Sequence, residues 1–146
     1  MNQLLERLSD YRGEIITSIV ETGVMMGNSL LAAVLVGLPI GTLLHLSRPG
    51  GPYPRRWLYR ALNVYVNVVR SVPFLLFVVA LIPFTRWLVG TSFGTTAASV
   101  PLAFVAAALY ARFSEQTLLD VPEQTVELAR SLGAGPLQLI GLFLFP

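Results

Sequence analysis

Apolar positions recur at helical spacing from the start of the chain. Leu4, Leu5, Leu8, Tyr11, Ile15 and Ile16 fall on one side of a helix and leave Glu6, Arg7, Asp10 and Glu14 on the other. The pattern predicts an amphipathic lead-in over residues 1–17, lying at a membrane surface. Its mixed charge, and the long apolar run after it, are unlike a cleaved leader. Thr22 to Leu44 then runs 23 residues without a formal charge. Crossing a bilayer takes about 20, so a first span is predicted over about 22–45. Gly23, Gly27, Leu30, Val34, Gly37 and Gly41 recur every three or four residues within it. On an uninterrupted helix they line one face, with two Gly-x-x-x-Gly pairs that let helix backbones approach closely. Helix packing outweighs a ligand role for this stripe. Pro39 predicts a kink near the end of the span.

Ser47-Arg-Pro-Gly-Gly-Pro-Tyr-Pro54 has the composition of a loop. Arg48, Arg55, Arg56 and Arg60 cluster in and just after it. Positive residues stay cytoplasmic, so the N-terminus is expected outside. A second span is predicted over about 62–84. Its uncharged part, Ser71 to Thr85, is 15 residues, roughly 22 Å of helix at about 1.5 Å per residue. The helix must therefore start earlier, near Trp57–Asn63. Arg60, Asn63, Asn67 and Arg70 then share a face. Asn63, Asn67 and Arg70 are candidates for a translocation path, because polar groups inside a membrane mark pathways. The plainer alternative is that the Arg residues snorkel and the Asn residues bond neighbouring helices. Pro73 predicts a bend inside this span. Gly90–Gly94 reads as an outside turn, and an Ala-rich third span over about 95–112 closes at Arg112. Asn28 is expected to bond between helices, and His45 to sit at a membrane boundary.

Composition agrees. The chain is 54% hydrophobic and 12% charged, against about 25% charged in soluble domains. Every basic residue is Arg and Cys is absent. A P-loop needs a Lys to reach the nucleotide phosphates, so P-loop ATP hydrolysis is excluded. Thiol chemistry is excluded too, and the single His45 builds no metal cluster. The stretch 22–114 holds seven Arg and no acid, which leaves no carboxylate in the spans to relay a coupling ion. The residues point to no catalytic constellation, no cofactor, no metal and no nucleic acid. The fold class is all-α integral membrane protein: a lead-in, three spans, and a cytoplasmic helix–turn–helix over 119–146.

In that last segment Asp120 and Glu123 have capping-box spacing. Gly133 is expected as a left-handed C-cap, and Gly135-Pro136 as the start of a second short helix. Val121, Thr125, Leu128 and Leu132 form a less polar stripe, and Glu123, Glu127 and Arg130 a charged one. Glu127-Leu-Ala129, three residues, Gly133 and the spacing to Pro146 resemble the coupling loop of ABC-importer permeases. The resemblance widens over residues 20–146. Glu21-Thr22, Gly37-Leu-Pro-Ile-Gly41, Arg48-Pro-Gly50, Arg70-Ser-Val-Pro-Phe74, Ile82-Pro-Phe-Thr-Arg86, Gly90-Thr-Ser92 and Leu132-Gly-Ala134 look like the permease subunit of bacterial methionine ABC importers.

The resemblance implies a type-1 ABC transmembrane domain over 18–146 in the bacterial inner membrane. It implies four partners: an ATPase subunit, a second permease copy, a substrate-binding lipoprotein and the bilayer. Glu127, Leu128, Ala129, Arg130, Gly133 and Ala134 would carry the ATPase contact. The family has two more spans after the coupling loop, so the chain is expected to be truncated at its C-terminus. Leu139 to Phe145 lacks the basic or polar residue usual there, and Phe145 replaces a Leu. Two other functions remain: a permease for another small amino acid, or a membrane fragment without transport of its own.

Overall fold

The computed structural model describes residues 11–133 with Gly135, Gln138 and Gly141, apart from the side chains of Glu123, Ala129 and Arg130. Residues 1–10 of the predicted 1–17 lead-in, Ala134 and most of the second short helix lie outside the described residues. Among the described residues six α-helices follow in order: α1 (Arg12–Ala32), α2 (Leu38–Ser47), α3 (Arg56–Ser71), α4 (Phe74–Val89), α5 (Thr95–Leu119) and α6 (Glu123–Ser131). A π turn, Ala33–Gly37, joins α1 to α2, so Arg12–Ser47 is one 36-residue helix. The lead-in from Arg12 onward is part of that helix.

The π turn has a local cause. Pro39 has no N–H, and its ring crowds the carbonyl four residues earlier. The helix widens just before it, and the Leu38 N–H donates to the Ala33 carbonyl, five residues back. The expected kink is replaced by this one-residue bulge. The bulge also splits the predicted small-residue stripe. Gly23, Gly27, Leu30 and Val34 are exposed, whereas Gly37 and Gly41 are buried. Seven residues of regular helix return almost to the same face, but one inserted residue turns Gly41 roughly 100° away from Val34.

Helix α5 is the hub and packs against α1, the π turn, α2, α3 and α4. A Cβ at Gly37 would lie 2.6 Å from the Ala107 carbonyl oxygen, and one at Gly41 would lie 2.6 Å from Ser114 Cβ. Asn28 Nδ2 donates to Ser99 Oγ at 3.4 Å. The pairings 28 with 99, 37 with 107 and 41 with 111 rise together, so α1–α2 and α5 run parallel. Ala33, Ala97, Ala107, Ala108 and Ala111 are buried, while Ile19, Leu31, Leu35 and Leu75 point outward. Small residues inside and large aliphatic ones outside is the order a bilayer favours.

Helices α3 and α4 meet at 117° across Val72 and Pro73. Val72 is extended, as a residue before proline tends to be. The bend far exceeds a kink within one straight span. Phe77 and Phe84 both meet the Phe104 ring edge-on, with centroids 6.5 and 5.8 Å away. Gly90 ends α4 in the left-handed conformation, φ 82°, and its N–H donates to the Arg86 carbonyl. Helix α5 continues seven residues past Arg112, to Leu119. Asp120 therefore closes α5, its N–H donating to the Thr117 carbonyl, and α6 starts at Glu123, whose side chain, and with it the predicted capping box, lies outside the described residues.

Candidate coupling segment and its polar junctions

The loop after α2 folds back on the helix end. The N–H groups of Tyr53 and Arg55 donate to the carbonyls of Leu46 and Ser47, at 3.0 and 3.1 Å. These carbonyls would otherwise be orphans of the helix terminus. Gly50 takes φ +84°, and a Cβ at Gly51 would lie 2.8 Å from the His45 carbonyl oxygen. Only glycine lets the loop pass this closely over α2.

Helix α6 lies beside that loop. His45, Arg48, Gly50, Gly51, Pro52, Val121, Val126 and Glu127 surround a cavity of about 150 Å³. Val126 on α6, and Val121 in the turn just before it, thus face the body of the protein. Leu128 and Leu132 are 56% and 72% exposed. The predicted Val121, Thr125, Leu128 and Leu132 stripe is divided between these two sides. Glu127 is exposed and also lines the cavity. Ala129 and Arg130 lie on α6. Gly133 takes φ +76°, the left-handed conformation expected of it, and no atom crowds its Cβ position. The Gly135 N–H donates to Gln138 Oε1 at 3.0 Å.

Asn63 and Asn67 both accept hydrogen bonds from the Arg112 Nη2, at 2.8 Å each. The Arg112 Nη1 reaches Glu115 Oε2 at 2.6 Å. Glu115 is 4% exposed. One guanidinium thereby joins α3 to α5 and neutralises a buried acid, which is how a buried charge is tolerated. Arg70 is exposed and stands apart from this cluster. Sequence reasoning treated Arg112 as the end of a span and passed over Glu115. The signal available was the i,i+3 Arg–Glu spacing combined with two Asn four residues apart. His45, expected at a boundary, is 2% exposed, and neither of its ring nitrogens has a hydrogen-bond partner among the described residues.

Long apolar helices around a small-residue seam, with a short amphipathic helix folded against one end, have the length and composition of a multi-pass membrane protein. The chain belongs to the family of binding-protein-dependent transport system inner membrane components, whose sequence pattern matches residues 37–146. It is 42% identical over 132 residues to the D-methionine transport system permease protein MetI of Salmonella typhi, covering 90% of this chain and 61% of that protein. It is 45% identical over 126 residues to the Yersinia pestis MetI, covering 86% and 58%. A solved structure of the MetNI methionine ABC transporter in an inward-facing conformation superposes with a TM-score of 0.88 at 39% identity, covering 94% of this chain and 63% of that one. The chain thus spans about three-fifths of the length of the relatives it matches.

Proposed function

We propose that this chain is the membrane-spanning permease part of an ATP-driven amino-acid importer whose substrate is methionine, with ATP hydrolysis on a separate subunit docked against α6. The observation that carries this is the 42% identity to a D-methionine permease over 90% of the chain. The exposed Leu128 and Leu132 beside Glu127 and Gly133 support α6 as the docking surface. A second permease copy and a binding lipoprotein complete the assembly, as the family resemblance implies.

Packing and charge together support one orientation. Because α1–α2 and α5 run parallel, both cross the membrane in the same direction. One return crossing must lie between them, and α3 with α4 is the bent pair available for it. Three spans result. The loop 48–52 and α6 share one cavity and therefore one side of the membrane. The Arg cluster supports a cytoplasmic assignment for that side, with the N-terminus outside. Nucleotide-driven movement of the ATPase would then shift α6 against a rigid body, biasing a two-state equilibrium.

A chimera tests this reading. The matched residues of this chain replace their counterparts in the Escherichia coli K12 MetI, to which it is 41% identical over 132 residues. In cells lacking their own methionine permease, the chimera is expected to restore uptake of labelled methionine and to retain the ATPase on purification. A membrane-inserted chimera that keeps the ATPase but does not take up methionine contradicts the substrate. One that loses the ATPase contradicts the docking surface.

A further inference from the structure

The cavity between α2 and α6 holds more polar chemistry than the described hydrogen bonds use. Both ring nitrogens of His45 and the Nε of Arg48 are buried and lack partners among the described residues. Glu127, a carboxylate with acceptor capacity for several donors, lines the same cavity of about 150 Å³. Val121, Val126 and Pro52 form its apolar wall. The glycine backbone at 50 and 51 lets the loop lie close over the end of α2 at its edge. A buried imidazole needs one donor and one acceptor partner, and a buried guanidinium N–H needs an acceptor. The space suffices for a few waters at about 30 Å³ each. Charge matches across it: one cation on the loop, one anion on α6.

We propose that Glu127 is a positioning residue that latches α6 to the cytoplasmic end of the first span, through a water-bridged network with Arg48 and His45. The latch lies within this chain and stands whether or not a partner docks on α6. It fixes where α6 sits relative to α2. It also gives a force applied to α6 a direct route into the first span. Because Glu127 is exposed as well as cavity-lining, a docking partner can reach the latch from outside.

The chain has no cysteine, so introduced pairs report without background. The reporter pair P52C/V126C spans the cavity, and its cross-linking rate with a short bismaleimide is measured in native membranes. The latch predicts efficient cross-linking in the parent. It predicts a fall of at least five-fold on adding E127Q or R48A, and no further fall when both are present. The swapped pair R48E/E127R should recover more than half of the parent rate. A second pair, L38C/F113C, lines a different cavity between α2 and α5 and should cross-link at the same rate in every background. No cross-link in the parent, an unchanged rate in E127Q and R48A, or single effects that multiply in the double variant would overturn the latch. A parallel loss at L38C/F113C would overturn it too, by showing general loss of the fold.

Discussion

At Gly41 a side chain has nowhere to go: its Cβ would overlap the Ala111 carbonyl and press on Ser114 Cβ. Gly27 meets nothing within 4 Å. The two glycines belong to one sequence repeat, yet only one bears a close helix contact within the chain. Valine at position 41 should therefore force α2 and α5 apart and cost about 1–3 kcal/mol, the usual range for overpacking. Valine at 27 should change stability by less than about 1 kcal/mol, a helix-propensity effect. Unfolding of the detergent-solubilised chain by denaturant measures both, and equal costs would refute the division of the stripe. The sequence could not reveal this division. Its periodicity was projected on a regular helix, and the π turn that breaks the phase depends on how Pro39 is accommodated in three dimensions. Gly133 is the opposite case. A left-handed C-cap is a local requirement, so its conformation was legible from the residues beside it.

At the scale of elements, α3 and α5 are joined by the Arg112 guanidinium. Removing one member of a buried charge pair leaves the other uncompensated, at about 3–5 kcal/mol. Arg112 is 19% exposed along its side chain, so R112A should cost near or below about 3 kcal/mol. N63A removes one interhelical hydrogen bond and should cost about 0.6–1 kcal/mol. The two effects share a partner and should not add. A double-mutant cycle on thermal unfolding checks this, and strict additivity would mean that Asn63 and Arg112 act independently. Asn63 and Asn67 were singled out from their four-residue spacing, but their partner lies some 45 residues away in sequence. Helix spacing reveals which residues share a face; it does not reveal which helix that face meets. The same limit hid the approach of α6 to the loop at 48–52. Apolar length and proline position, by contrast, made the long apolar helices and the break at Pro73 legible, although the 117° angle between α3 and α4 was not.

At the scale of the whole molecule, the proposed three crossings put the two ends of the α2–α5 seam on opposite sides of the membrane. Cysteines introduced at Pro54 and Gln124 should react with an impermeant maleimide only in inverted vesicles, and one at Ser92 only in right-side-out cells. Labelling of the Ser92 and Pro54 positions from the same side would make α3 and α4 a re-entrant pair and overturn the topology. The family resemblance was legible in the sequence from motifs spread over nearly the whole chain, because those motifs sit at turns, helix ends and proline breaks where residue type is dictated locally.

The central claim is that the outward side of α6 meets an ATPase while its inward side meets this chain. Cross-linking to a co-expressed methionine-importer ATPase tests it most directly, with single cysteines at Leu128, Leu132 and Val126 and a photoactivatable maleimide in native membranes. The account predicts adducts with the ATPase from Leu128 and Leu132, which are exposed, and little or none from Val126, which lines the internal cavity. Adducts from Val126 alone, or from none of the three while the ATPase is present and membrane-bound, would contradict it.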